Sequence, residues 1–200
     1  MMTRRRALAA VALVTPLPLA TQAPKSQHAT VTQVVGTSQV TIVYNRPSAR
    51  GRTLFGRGGV VPWGRVWCPG ADTATTIALS RDMMVAGQPL AAGKYSIWAI
   101  PGPDEWTLIF SRAADVFHIP YPGEAQDALR LKVKPQSAGG APFMESLAFY
   151  FPAADAERAL LNLQSEAPKP ALATPNSSFP VTSNAIILHC SLQNADAPSP

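Results

Sequence analysis

Twenty prolines are spread along this 200-residue chain, which is about twice the average usage. Proline breaks helix interiors and is excluded from the central positions of sheets. A chain interrupted this often favours short strands joined by turns. The apolar share of 46% is ordinary for a globular protein, so a chain of this length can bury one core. The charged share of 14%, against a usual value of about 25%, argues against a disordered polyelectrolyte.

Short segments rich in valine, isoleucine and threonine recur between turn signals, as is typical of β-strands. The clearest pair flanks the sequence PGPD at 101–104, a strong turn signal, and it predicts a hairpin. Trp106, Leu108 and Phe110 would share one face of its second strand, because side chains alternate along a strand. The predicted strands are 28–36, 38–44, 73–80, 94–100, 105–111, 128–135 and 144–151.

This succession of short strands predicts an all-β fold, an antiparallel β-sandwich of the jelly-roll or immunoglobulin-like type with little helix. One segment stays ambiguous: 154–164 contains helix formers, but its apolar run 159–163 also suits a strand. We assign the β-sandwich domain to residues 24–164.

The first 23 residues have the three parts of a secretory signal peptide. Arg4, Arg5 and Arg6 precede an apolar run, 7–20, and small residues follow it up to Ala23. The run is too short for a membrane span, and two prolines interrupt it. We expect cleavage after Ala23 and export to the periplasm or the medium.

Cleavage at that point would nearly neutralise the chain. Residues 1–23 hold three of the 17 basic residues and none of the 12 acidic ones, so the net charge would fall from +5 to +2. Binding of nucleic acid needs a strong basic field, so nucleic acid is not an expected partner.

Beyond Gln164 the sequence changes to proline, serine and alanine without periodicity, which predicts a flexible tail over 165–200. Within it the apolar stretch AIILHC, 185–190, could add a strand or form an exposed adhesive segment.

Four stretches resemble, in the same order, those of a bacterial exported family known as DUF2911. They are YNRPSARGRTLFG, VPWGRVWCPGADTATTIALS, LAAGKYSIWAIPGPDEWTLIFS and ALRLKVKP. The resemblance covers about residues 30–163. It implies an exported, β-sandwich-like domain, and it implies no activity.

Two departures from the family pattern matter. The family usually has Arg and Asn in a W-R-x-G-A-N stretch, where this chain has Cys68 and Asp72. Loss of the arginine fork puts in doubt any anion site that uses it. The family also tends to end with a strand of the type LNLQWG, whereas the likeness here stops at Gln164. A frameshift or a substituted terminus would produce that change.

An arginine-rich loop is the first candidate site. Arg46, Arg50 and Arg52 offer planar forks of donors that suit a carboxylate or a phosphate, and Ser48 lies between them. Together they would hold a small anionic ligand. The alternative is structural: Arg46 and Arg52 would bond backbone carbonyls and carboxylates such as Asp72, and so pin the loop to the sandwich.

The second candidate is a segment, 115–127, that contains one histidine, one tyrosine and three carboxylates. A catalytic role would fall to His118, with Asp115 or Asp72 and an arginine of the loop as anion clamp. Without H-x-H or H-E-x-x-H spacing, no metal is expected, and no cofactor. The alternative is a polar surface loop with one titratable histidine.

The two cysteines and the tryptophans are weaker signals. In an exported protein Cys68 and Cys190 could form a disulfide, which requires their Cα atoms to lie within about 7 Å. Four tryptophans could line a sugar or apolar pocket, although their strand spacing favours core or sheet-face positions: Trp63, Trp67, Trp98 and Trp106.

Three function classes therefore stay open. The first is non-catalytic binding of a small anionic ligand or of another envelope protein. The second is a hydrolase-type enzyme, which needs the arginine loop and His118 to converge on one pocket. The third is a structural envelope component, which predicts an exposed apolar patch. The oligomeric state does not follow from the sequence.

Overall fold

The protein is an antiparallel β-sandwich. The structure, a computed structural model, describes residues 25–137, 144–165 and 186–195. The predicted signal peptide, 1–23, lies outside the described residues. The strands are β1 Gln27–Val35, β2 Ser38–Arg46, β3 Thr76–Leu79, β4 Met83–Val85, β5 Gln88–Leu90, β6 Gly93–Ile100, β7 Trp106–Ser111, β8 Asp127–Val133, β9 Pro135–Ser137, β10 Ala148–Ala154, β11 Arg158–Ser165 and β12 Ile186–Asn194.

Two sheets of six strands each face one another. The first has the order β1-β2-β3-β6-β7-β8. The second has the order β10-β11-β12-β4-β5, and β9 also pairs with β12. All pairings are antiparallel. The all-β sandwich that the proline-rich, strand-rich sequence predicts is thereby confirmed, with one short 3₁₀ helix, Glu124–Gln126, among the described residues.

The predicted hairpin is present as β6 and β7, paired from Ser96 opposite Ser111 to Ile100 opposite Thr107. Trp106, Leu108 and Phe110 share one face, as predicted, and they are buried in the core between the sheets. The opposite face of the same hairpin is also buried, so both faces of this central strand pair are apolar.

The turn between β1 and β2 requires a glycine. Gly36 has φ = 58°, and a Cβ atom there would lie 2.4 Å from the carbonyl oxygen of Ala156. The left-handed conformation is strained for residues with a side chain, and the backbone contact leaves no room for one. The turn therefore packs against the β10–β11 connection at one end of the sandwich.

The C-terminal half of the chain differs from expectation in two places. The ambiguous segment 154–164 is a strand for most of its length, β11, because its apolar residues lie between the two sheets. Within the predicted tail, Ile186–Asn194 form β12, which pairs with β11 and β4. The buried side chains of Cys190 and Leu192 explain why this stretch joins the sheet.

A long loop between β2 and β3, residues 47–75, lies across the end of the sandwich where β2 ends and β10 begins. We call it the cap loop. Its hydrogen bonds to the 145–147 segment and to β6 attach it to both sheets. Within the described residues, no helix is long and apolar enough to cross a membrane.

Candidate functional site

The base of the site is a short pairing between the first residues of the cap loop and the approach to β10. The amide of Ala49 donates to the carbonyl of Glu145 at 3.0 Å, and that of Leu147 donates to Pro47 at 3.0 Å. Arg46 Nε donates to the carbonyl of Leu147, also at 3.0 Å. Arg46 thus ties the end of the first sheet to the start of the second, which is the structural role considered for it.

Ser48 lies in the middle of this pairing. Its Oγ is 2.7 Å from Oγ of Ser146, so each hydroxyl has a partner across the two chains. This hydrogen bond holds the Ser48 side chain at the junction of the sheets. Arg50, next along the loop, is exposed and has φ = 54°, and its amide donates to the Glu145 carboxylate at 2.7 Å.

Arg52 is held by the loop that carries it. Its Nε donates to the carbonyl of Ala49 at 2.9 Å, and Nη2 donates to the carbonyl of Ser48 at 3.0 Å. A guanidinium has five N–H donors, and these bonds use two of them. Among the described residues Arg52 makes no ion pair with a carboxylate. Its position is therefore fixed while most of its donors stay available.

His118 is positioned by a backbone carbonyl of the cap loop. Its amide donates to the carbonyl of Asp72 at 2.9 Å, and its ring Nδ1 lies 2.7 Å from the same oxygen. A carbonyl oxygen only accepts, so Nδ1 carries the hydrogen. Nε2 is then an acceptor in the neutral ring and is the nitrogen that takes up a proton when the imidazole becomes charged.

The two candidate aspartates do not act through their carboxylates on His118. Asp72 uses its main-chain oxygen, and its φ of 61° is the left-handed conformation that Asp and Asn tolerate better than most residues. The Asp115 carboxylate instead pairs with Lys94 at 2.5 Å. Of the two aspartates, Asp72 alone contacts the histidine in the described structure, and it does so through its backbone carbonyl.

A cavity of about 260 Å³ brings the two candidate segments together. Arg52 and Ser48 of the arginine loop and His118 of the 115–127 segment all line it. Arg46 and Arg50 are not among its lining residues. The remaining walls come from the cap loop, from the residue before β10 and from the last residue of β11: Pro47, Ala49, Leu54, Phe55, Val60, Val61, Trp67, Gly70, Leu147 and Ser165.

The chemical character of the cavity is apolar with a basic corner. Aliphatic and aromatic side chains make up most of its wall, and none of the lining residues is acidic. Arg52 is its fixed cation, and His118 is a second basic group. Such a wall, with a few convergent polar groups, is the usual form of a small-molecule site. No group of three or more metal-ligating side chains occurs in the part of the chain that the structure describes.

Aromatic rings support one side of the cavity. Phe55, which lines it, contacts Trp67 and Trp106 edge to face at centroid distances of 5.3 and 4.8 Å. Trp63 stacks on the same ring at 6.3 Å and is partly exposed. Of the four tryptophans, Trp67 alone lines the cavity, whereas Trp98 and Trp106 are buried core residues, as their strand spacing favours.

The His118 segment is held against the outer face of the first sheet. Trp98, fully buried there, contacts the ring of Tyr121 edge to face at 5.3 Å. The Tyr121 hydroxyl donates to Asp127 at 2.6 Å, and Asp127 also pairs with Arg130. Burial, and then the hydrogen bond to Asp127, raise the pKa of Tyr121. This network fixes the segment from which His118 reaches the cavity.

The two cysteines are separate buried thiols, and the proposed disulfide is not formed. Cys68 packs beside Trp98 on the outer face of the first sheet, whereas Cys190 belongs to the core between the sheets. Burial raises the pKa of Cys68 to about 11 and that of Cys190 to about 12. A thiol reacts as the thiolate, so neither is an activated nucleophile at neutral pH.

The comparisons with known proteins identify a family. A family model described as "Protein of unknown function (DUF2911)" matches residues 26–171. The chain belongs to the DUF2911 family. Every lining residue of the cavity lies within the part of the chain that matches DUF2911, whereas β12 lies beyond it. No curated protein and no solved structure matches the chain.

Apart from Trp67, sequence reasoning missed the apolar part of the site. Leu147 directly precedes β10 and Ser165 ends β11, and only the sheet topology brings these distant residues beside the cap loop. The sequences around these two residues are typical of ordinary β-strands, so they gave no signal of a site. The basic part carried a signal, because arginines and a lone histidine are chemically distinctive in any context.

Proposed function

We propose that the cavity binds a small organic anion with an apolar body, and that it does so without catalysing a reaction. The observation that supports this most strongly is the convergence of Arg52, Ser48 and His118 on one cavity without an acidic lining residue. A carboxylate or a phosphate would meet unused guanidinium donors there. The apolar walls would enclose the rest of the molecule.

The volume sets the size of the ligand. A cavity of roughly 150 Å³ holds a benzene ring, so about 260 Å³ leaves room for a ring or a short alkyl chain with one charged group. Benzoate, hexanoate and phenyl phosphate are suitable probes.

Replacing the fixed cation should remove the preference for anions. We expect Arg52→Gln to weaken benzoate binding by about tenfold or more, since a hydrogen bond to a charged group contributes about 1.5–3 kcal/mol. Titration calorimetry with benzoate, and with benzyl alcohol as the neutral analogue, measures this. The control is Arg81→Gln, an exposed arginine at the far end of β3 that removes the same charge. Equal binding of benzyl alcohol and benzoate by the wild type would contradict the proposal.

Hydrolysis is the second candidate, favoured by the tautomer of His118, which leaves Nε2 free to act as a base. A hydrolase also needs a nucleophile hydrogen-bonded to that base. In the described residues Ser48 bonds Ser146, and His118 bonds the backbone of Asp72. Turnover of p-nitrophenyl acetate that His118→Gln abolishes would replace the binding proposal with this one.

We also propose that the chain is exported and works in the periplasm or outside the cell. The support is the order of basic, apolar and small residues in 1–23. Protein recovered from the exported fraction should begin at Pro24, which the intact mass reveals. A mature chain that still begins at Met1 would contradict the proposal.

A further inference from the structure

The cap loop, which lines the cavity, carries a concentrated positive charge. Residues 46–71 contain five arginines and no acidic residue. Arg46 is bonded inside the site, but the other four, Arg50, Arg52, Arg57 and Arg65, are exposed. None of these four makes an ion pair with any residue that the structure describes. Two carboxylates lie next to this stretch: Asp72, the exposed residue that follows it on the cap loop, and Glu145, which accepts a hydrogen bond from the amide of Arg50.

The same surface also carries most of the exposed apolar side chains. Six large hydrophobic residues are exposed in the described chain, and five of them lie on the cap loop or beside His118. They are Val60, Trp63, Val66, Phe117 and Ile119. A structural envelope component, the third function class considered from the sequence, would have an exposed apolar patch. In this protein the patch also contains arginines that make no ion pair in the described structure. We call these five residues and the four exposed arginines the cap face.

The cavity adjoins both parts of the cap face, the residues on the cap loop and the residues beside His118. Val60 and His118 both line it, and the ring of Phe117 lies 4.5 Å from that of His118. Trp63 stacks on Phe55, another lining residue. Arg52, Val60, Trp63 and Phe117 therefore lie at the cavity or against its lining residues, and the other members of the cap face lie close to them along the chain.

We propose that the cap face docks on a membrane surface rich in anionic phospholipid. Arginines attract and bind lipid phosphates, while exposed tryptophan and aliphatic side chains enter the boundary between headgroups and acyl chains. Nucleic acid fits less well, because three of the five apolar groups are aliphatic and offer no ring for a base to stack on. Docking would place the cavity mouth at the lipid boundary, where amphiphilic anions are abundant.

Vesicle sedimentation tests the proposal with the exported form, residues 24–200. Vesicles of phosphatidylglycerol and phosphatidylcholine should bind the protein at low salt, and vesicles of phosphatidylcholine alone should not. Binding should weaken as salt is added, since salt screens the attraction between the arginines and the surface. Binding that shows no preference for the anionic vesicles would overturn the proposal.

Two double variants separate local charge from net charge. Arg57→Gln with Arg65→Gln should weaken binding about 25-fold, because each arginine near an anionic surface strengthens it by about fivefold. Neither side chain makes a hydrogen bond in the described structure, so the fold should be unaffected. Arg81→Gln with Arg158→Gln removes the same charge at the opposite end of the sandwich and should change binding less than twofold. An equal loss in both would overturn the proposal.

The depth to which Trp63 enters the bilayer is an independent measurement of docking. Brominated acyl chains should quench the fluorescence of Trp63, which is 38% exposed, and Trp63→Phe should abolish most of that quenching. Tight binding to heparin or to an oligonucleotide, with no vesicle binding, would assign the surface to a soluble polyanion and overturn the proposal. The vesicle assay needs no cavity ligand, so its failure and a failure of benzoate binding are distinguishable.

Discussion

We expect a chain that ends at Ser165 not to fold, although the proline- and serine-rich composition beyond Gln164 predicts a flexible tail that could be removed. β12 lies inside the second sheet, between β11 and β4. Eight of its residues pair with β11 and three with β4. Its removal would open two strand edges and take Cys190 and Leu192 out of the core. Small domains have a total stability of only about 5–15 kcal/mol, so we expect the loss of a central strand and its buried side chains to unfold the domain.

Near-ultraviolet circular dichroism and urea unfolding of the chains 24–165 and 24–200 measure this effect. Two point variants on β12 calibrate it. Leu192→Ala, at a fully buried position, should lower the free energy of unfolding by about 2–5 kcal/mol. Its neighbour Ser191 is exposed, and Ser191→Ala should change it by less than about 0.5 kcal/mol. Cooperative unfolding of the chain 24–165 at a similar urea concentration would contradict the placement of β12.

Trp98→Ala is expected to destabilise the protein and to disable the cavity at once. Trp98 is 1% exposed, donates its indole N–H to Ser96 Oγ at 2.8 Å and contacts Tyr121. Truncation of a buried aromatic ring typically costs about 3–5 kcal/mol. The loss also removes the support of the segment that carries His118, so benzoate binding should weaken by more than stability alone explains.

The matched variant is Trp98→Phe, which keeps a ring against Tyr121 but loses the hydrogen bond to Ser96. It should lose less stability than Trp98→Ala and retain benzoate binding. Urea unfolding and calorimetry below the unfolding transition separate the two effects. Benzoate binding by folded Trp98→Ala at wild-type strength would show that the outer cluster does not position His118.

Local patterns were enough to predict most of the first sheet. The hairpin of β6 and β7 follows from alternation and a PGPD turn, which are properties of neighbouring residues. For β12 the sequence left two alternatives open, because its apolar run is separated from β11 by a long proline- and serine-rich stretch and no short turn pairs the two. Its placement depends on the gap between β11 and β4, which exists only after the rest of the sheet has formed.

The candidate site was predictable in its polar half. Arg52 and His118 are conspicuous by chemistry, and they do line one cavity. Their partners are backbone carbonyls, which every residue has, so no side-chain pattern could reveal that Asp72 acts through its main chain. Arg46 was also a candidate for anion binding, but its guanidinium donates to the carbonyl of Leu147 and connects the two sheets.

The most direct test of the central claim is nitrogen NMR of the His118 ring during titration with benzoate. The free protein should show a hydrogen on Nδ1 and an acceptor at Nε2, because Nδ1 faces the carbonyl of Asp72. Benzoate should shift the His118 nitrogen signals saturably, because His118 lines the cavity, while those of His28, which lies outside the cavity wall, stay unchanged. Equal small shifts of both histidines, or none at His118, would contradict binding of an anion in this cavity.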